Sequence, residues 1–238
     1  MGTAILKGEV AVVTGGSRGI GLAIARRLGT MGARVAISGR DLASLEQAAA
    51  GLRGEGVEVL AFQADVRDTG QVASLVKSVN AAFGDISILV NNAGVGAFVA
   101  IHELREEDWD TVLDTNLKGV FLCSRAVAPQ MIRARRGHII NISSLAGKNT
   151  FAGAAAYCAS KWGLQGLTGC MAEDLRGYGI RVSAICPGSV HTEFSPHAGK
   201  DPRKMLQPSD IAHAVALLLT QAPQSFISEV QMRPTQKP

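Results

Sequence analysis

The sequence predicts an α/β fold: a single Rossmann-like, doubly wound domain over residues 1–238, with a seven-stranded, mainly parallel sheet and helices on both faces. Three observations carry this. Short β-branched runs recur along the chain with helical patterns between them, the alternation left by βαβ units. The runs are largely apolar rather than alternating, as strands buried on both faces are. The first run also ends in glycines that open directly into a helical pattern.

Taken in order, the strands are expected at Val10–Thr14, Arg34–Ser38, Glu58–Phe62, Ile86–Val90, His138–Ile142, Arg181–Ile185 and Ile227–Val230. The helices between them are expected at Gly19–Met31, Leu42–Arg53, Gly70–Phe83, Trp109–Ala134, Ala154–Arg176 and Ser209–Thr220. No internal repeat, low-complexity tract or Pro-rich linker interrupts this rhythm. Residues 188–207 hold Pro196, Pro202 and mixed charges with little pattern. A loop of that length in a compact domain is usually functional, and it is read as a substrate lid.

Composition narrows the function classes. Forty-seven per cent hydrophobic residues against 18% charged supply a core and exclude disorder. The net charge of +4 comes from 24 basic and 20 acidic residues spread along the chain. The densest cluster is Arg133, Arg135 and Arg136, so no nucleic-acid stripe is expected. Cys123, Cys158, Cys170 and Cys186 lie far apart without CxxC spacing, which points to reduced thiols and a cytoplasmic setting. Lys7 and Glu9 interrupt the first apolar residues, so no signal peptide is read, and Leu6 stands where a myristoylation signal needs Ser or Thr. No run approaches the ~18 apolar residues of a membrane span. His102, His138, His191, His197 and His213 fall at no metal-ligand spacing, and Gly-x-Ser-x-Gly is absent, so neither a metal site nor a hydrolase elbow is expected.

The glycine turn carries the first functional signal. Gly15, Ser17, Arg18, Gly19, Ile20 and Gly21 stand between a strand and a helix, with the spacing Gly15-x3-Gly19-x-Gly21. Glycines let the backbone approach a pyrophosphate closely, and the helix start offers N–H groups and a positive dipole end. At the end of the second strand an NAD site would place an acid for the ribose 2′-hydroxyl. This chain has Gly39 and then Arg40. Arginines there and at position 18 suit a 2′-phosphate, so NADP(H) is expected over NAD(H).

Ser143 and Ser144 follow the fifth strand, and Tyr157 and Lys161 stand four residues apart on one helix face. A phenol with pKa near ~10 is a poor acid–base group at neutral pH, and a neighbouring ammonium favours its ionised form. The spacing therefore suggests Tyr157 as a proton donor made useful by Lys161, with Ser144 holding the substrate oxygen.

With Asp65-Val66, Asn91-Asn92-Ala93-Gly94, Asn116 and Pro187-Gly188 followed by Thr192 added in order, the chain resembles the short-chain dehydrogenase/reductase family over nearly its whole length. Within it, the 3-oxoacyl-(acyl-carrier-protein) reductase type is the most similar. The resemblance implies a role for each position. Tyr157 would be the acid–base, Lys161 would hold the nicotinamide ribose and lower the phenol pKa, Ser144 would orient the carbonyl and Asn116 would complete a water-linked proton relay. Asp65 and Val66 would contact adenine, Asn92, Ala93 and Gly94 would border the cofactor with Pro187 and Gly188, and Val190 and Thr192 would meet the nicotinamide carboxamide.

It further implies a 3-oxoacyl thioester substrate, with a sugar, polyol or other secondary alcohol as the alternative, and a homotetramer. The tetramer would pair helices Trp109–Ala134 and Ala154–Arg176 with their copies, where Gly163, Gly166 and Gly169 permit close approach. One carrier-protein docking position of the family matches Arg135, while the second falls on Tyr178 with Arg176 nearby. The ending Ser228-Glu229-Val230-Gln231-Met232 departs from the family's usual Asp-Gly-Gly close. A non-catalytic NADP(H)-sensing module is the reading from another class, and loss of Ser144, Tyr157 or Lys161 would have favoured it; all three are present.

Overall fold

The computed structural model describes residues 5–194 and 201–238. The elements run β1 (Val10–Thr14), α1 (Gly19–Thr30), β2 (Arg34–Gly39), α2 (Leu42–Gly54), β3 (Val59–Gln63), α3 (Thr69–Phe83), β4 (Ile88–Asn91), α4 (Glu106–Leu113), α5 (Gly119–Ala134), β5 (Gly137–Ile142), α6 (Ala155–Arg176), β6 (Ile180–Pro187), α7 (Pro208–Leu219) and β7 (Glu229–Met232). The strands form one sheet in the order β3-β2-β1-β4-β5-β6-β7, and every pairing is parallel.

The period of two along β1 divides the core. Ala11 and Val13 pack with α1, α2 and α7, whereas Val10 and Val12 pack with α3, α5 and α6. The helices supply matching stripes: Leu45, Ala48, Ala49 and Leu52 are the buried positions of α2, and Val72, Leu75 and Val79 those of α3. Asp41 and Asp68 start these two helices, their carboxylates accepting the amides of Ser44 (2.6 Å) and Gln71 (2.9 Å).

Two expectations are revised. The long helix expected from Trp109 begins at Glu106 and is broken at Asp114–Lys118 by a π-helical turn, in which the Gly119 amide reaches back to the Asp114 carbonyl. Hydrophobic periodicity does not register one inserted residue of this kind. The last strand starts at Glu229 rather than Ile227, because both backbone groups of Ile227 are taken by side chains: its amide donates to Gln221 Oε1 (2.7 Å) and its carbonyl accepts from Ser183 Oγ (2.7 Å). In the segment read as a lid, Val190 bridges to Leu206 and a 3-10 turn forms at Pro202–Lys204; positions 195–200, with Pro196 and His197, lie outside the described residues.

His138 gives a stability test. It is buried, with Nε2 2.9 Å from Ser183 Oγ. Since that hydroxyl donates its proton to the Ile227 carbonyl, the imidazole must be the donor, neutral and protonated on Nε2. Burial, with a smaller push from Arg181, lowers its pKa to about 3. Between pH 6.5 and 3 the unfolded chain therefore binds a proton that the folded one refuses, and stability falls as pH falls. Denaturant titrations at pH 7.5 and 5.5 should show a loss of ~1.4 kcal/mol per pH unit below about 6.5 that His138→Gln removes.

Candidate active site

The strand order reverses between β1 and β4, and the carboxyl ends there open on a cleft of about 990 Å³. At one end lies the glycine turn. Gly15 and Gly19 have φ of +63° and +53°, conformations that L side chains avoid. Gly21 is packed rather than exposed to the cleft: a Cβ there would lie 2.2 Å from the Gly15 carbonyl oxygen and 2.5 Å from Asn92 Nδ2. No side chain caps α1, so its first amides remain available beside the cleft-lining Gly19 and Ile20.

The turn is held from the far side of the switch point. Thr14 Oγ1 accepts the amides of Asn92 and Ala93, each at 3.0 Å, while Asn92 Nδ2 donates to the carbonyls of Thr14 (2.9 Å) and Gly15 (3.0 Å). Ser17, Arg18, Arg40, Asp65, Val66, Asn92, Ala93 and Gly94 all line the same cleft. Arg18 pairs with Glu193 at 3.0 Å, both well exposed, whereas Arg40 lines the cleft and acts on Asp65 only through its charge. Asp65 is held below the usual carboxylate range, chiefly by Arg67, whose guanidinium grips it at 2.6–3.0 Å. Glycines shaped to admit a ligand, free helix-start amides and a cleft-lining arginine form a donor set that fits an anionic dinucleotide.

The other end of the cleft holds Ser144, Tyr157 and Lys161, with Pro187, Gly188, Val190 and Thr192 along the wall. Ser144 Oγ accepts the Ala146 amide at 3.0 Å, which orients its hydroxyl. Lys161 Nζ is buried, donates to the Ile142 carbonyl at 2.9 Å and stands 5.8 Å from the Tyr157 ring centre. Burial lowers its pKa to about 8. Burial pushes the Tyr157 phenol up to about 12, and the Ser144 hydroxyl offsets part of that push.

Asn116 lies behind the cleft, in the π-helical turn. Its Oδ1 accepts the Val95 amide (2.8 Å), and Nδ2 donates to the Val95 carbonyl (2.8 Å) and to Ser160 Oγ (3.0 Å). Both amide hydrogens are thereby committed, leaving one lone pair on Oδ1.

The model of the family described as "short chain dehydrogenase" matches residues 9–203 of the chain. The chain belongs to the short chain dehydrogenase family. It is thus an oxidoreductase by kinship. It is 39% identical over 221 residues to a protein named 3-oxoacyl-[acyl-carrier-protein] reductase from Staphylococcus aureus, covering 87% of this chain and 89% of that one. Among solved structures, a metagenomic short-chain oxidoreductase in complex with NADP is 48% identical with a TM-score of 0.87, over 99% of this chain and all of its own. A single-substitution variant of actinorhodin polyketide ketoreductase with NADPH is 36% identical with a TM-score of 0.89, over 98% of this chain and 97% of its own.

Several features of this short chain dehydrogenase site were not read from the sequence. Arg67 had no signal beyond standing two residues after Asp65. Ser44, Thr115 and Phe194 line the cleft, and Phe98 and Phe151 form part of the ring cluster around Tyr157, yet no spacing links them. The basic cluster of Arg133, Arg135 and Arg136 stands clear of the cleft. It joins α5 to β5, at the end of the sheet away from Ser144, so a strand of roughly 20 Å separates it from the cleft. Arg135 donates to the Gly177 carbonyl (3.2 Å) and Arg136 pairs with Glu9 (3.2 Å).

No helix among the described residues is long and apolar enough to cross a membrane. No group of three or more His, Cys, Asp or Glu residues among them could hold a metal ion.

Proposed function

We propose that the chain is an NADP(H)-dependent carbonyl reductase whose substrate is a 3-oxoacyl thioester. The observation that carries this is the presence in one cleft of an anion cradle with two arginines at one end and Ser144, Tyr157 and Lys161 at the other. NADPH, when bound, supplies the hydride that adds to the carbonyl carbon. The amides around Gly15, Ser17, Gly19 and Ile20 receive the pyrophosphate, and Gly21 lets α1 sit close enough to aim them. Arg18 and Arg40 take the 2′-phosphate, Asp65 and Val66 the adenine, and Asn92, Ala93, Gly94, Pro187, Gly188, Val190 and Thr192 wall the remainder.

Ser144 holds the carbonyl oxygen, and Tyr157 gives it a proton as negative charge develops there. The Lys161 ammonium, 5.8 Å from the Tyr157 ring centre, stands where its charge favours the phenolate left after proton transfer. Asn116 positions Val95 and Ser160, and its remaining lone pair is what it offers a relay water.

Arg40→Ala should raise the NADPH dissociation constant roughly tenfold while leaving NADH within about twofold, since an exposed charge-assisted contact is worth little more than one factor of ten. Equal losses for both cofactors in a binding titration would contradict the 2′-phosphate role.

The thioester reading draws on the names of the curated relatives and on the Phe98, Phe151 and Phe194 rings beside Tyr157, which suit an acyl group better than a polyol. Gly188, Val190, Thr192 and Phe194, from the segment read as a lid, line the cleft. Acetoacetyl thioester with NADPH, assayed beside a polyol panel with NADP⁺, tests this: brisk polyol oxidation with an inert thioester would overturn it.

The outer faces of α5 and α6 support assembly with further copies, as a homotetramer in a cytoplasmic setting. Phe121 and Trp162 are exposed there, and Cβ positions at Gly166 and Gly169 meet nothing within 4 Å. A two-fold pairing of α6 with its copy brings the far end of one helix beside the catalytic end of the other. An acyl carrier protein docked on Arg133, Arg135 and Arg136 would therefore deliver its cargo across a subunit boundary.

A further inference from the structure

A second cavity, of about 510 Å³, lies between the 3-10 turn at Pro202–Lys204, with the residues that follow it, and the tail after β7. Arg203, Lys204 and Arg233 bring three positive charges to it, against the carboxylates of Asp201 and Asp210. Both carboxylates are already engaged. Asp201 accepts the Arg203 amide (3.0 Å) and its guanidinium (3.1 Å). Asp210 accepts the Gln207 amide (2.7 Å) at the start of α7, where the helix dipole also favours its charge. Lys204 and Arg233 are exposed, and Thr235 and Gln236 stand beside them as neutral hydrogen-bonding groups.

This cavity shares a wall with the catalytic cleft. Gly188, Val190 and His191 line the cleft. The Gly188 amide donates to the Met232 carbonyl at 2.8 Å, and a Cβ on Gly188 would stand 3.1 Å from Pro234 Cδ. Leu206 donates its amide to the Ser189 carbonyl (3.0 Å), and its carbonyl accepts the His191 amide (2.8 Å). Pro234 and Leu206 belong to the second cavity, so one stretch of chain, residues 188–191, separates it from the cleft that holds Tyr157. A thioester substrate has a part for each side. Its acyl carbonyl belongs beside Tyr157 and Ser144, and its thiol half is a long arm that carries a phosphate.

We propose that the second cavity receives the phosphate of a pantetheine arm, the anion that thioesters of coenzyme A and of a carrier protein share, with Arg233 and Lys204 as its cations. The inference rests on the thioester reading above and assigns the other end of that substrate. A guanidinium and an ammonium together give a phosphate charge-assisted bonds, the first as a planar fork and the second as a point charge. Met205, Leu206 and Pro234 supply apolar surface for the uncharged part of the arm. No bond is made or broken there. The contact is the same before and during hydride transfer, so it lowers KM and leaves kcat as it is.

The test compares kcat/KM, with NADPH, for the acetoacetyl thioesters of pantetheine, 4′-phosphopantetheine, coenzyme A and an acyl carrier protein. The wild type should favour the phosphopantetheine thioester over the pantetheine one about tenfold, through KM, since exposed charge-assisted contacts are worth about that much. Arg233→Gln and Lys204→Gln should each cut the ratio to about threefold, and the two together to about one. Both side chains are exposed, so neither substitution disturbs the core. A rise in KM for the coenzyme A thioester, for the carrier-protein thioester or for both in the double variant names the source of the arm, and each of these results supports the site. Equal wild-type turnover of the phosphorylated and unphosphorylated arms, or a preference that survives both substitutions, would overturn the phosphate site and leave the thioester reading standing. Inertness of all four thioesters would overturn both.

Discussion

Tyr157→Phe is expected to lower kcat by ~10²–10⁴, the usual worth of a positioned acid–base group, while NADPH binds with its original affinity. The substitution removes one oxygen. The ring that packs against Phe98 and Phe194 is kept, so neither the core nor the cofactor half of the cleft is disturbed. Steady-state rates beside a fluorescence titration of NADPH separate the two effects, and a variant retaining most of its turnover would contradict the proton-donor role. The same variant reports the ionisation directly. Only Tyr157 and Tyr178 are present, so an ultraviolet difference titration of wild type against Tyr157→Phe isolates the buried phenol. It should ionise near 12 in the ligand-free protein; ionisation below about 10, the ordinary phenol value, would show that Lys161 governs it after all.

Gly21→Ala is expected to weaken NADPH binding by about tenfold or more, although the residue does not line the cleft. Its added methyl would stand 2.2 Å from a backbone oxygen and 2.5 Å from Asn92 Nδ2. Neither is the loose end of a flexible chain, because the oxygen belongs to Gly15 and the amide is pinned to two carbonyls. Either α1 must retreat or the turn must shift, at ~1–3 kcal/mol for overpacking, and both movements take the first-turn amides away from the pyrophosphate. Calorimetric titration with NADPH, beside a melting curve, checks this. Unchanged affinity would mean that the turn is softer than its contacts imply.

The parts legible in the sequence are those in which the chemistry is local. The seven strands could be read because burial on both faces demands apolar runs, and the glycine turn because its conformations exclude side chains. Tyr157 and Lys161 could be paired because helix geometry brings positions four apart onto one face. Other features depend on what the chain meets elsewhere. The π-helical turn around Asn116 follows no period, since the same residues would make a plain helix. The burial of Tyr157 could not be read either, since Phe98 and Phe194, which contact its ring, stand far away in the chain. The arginines at 133, 135 and 136 announce charge in any reading, but only the topology of α5 and β5 puts them at the end of the sheet away from the catalytic groups.

The claim on which the rest depends is that the cleft turns over its cofactor instead of merely sensing it. NADPH absorbance followed after mixing with the protein and a carbonyl panel that includes acetoacetyl thioester and acetophenone tests this most directly. The account predicts consumption of NADPH matched by formation of alcohol, faster than with NADH at equal concentration. Tight binding of NADPH without its consumption by any carbonyl would contradict it.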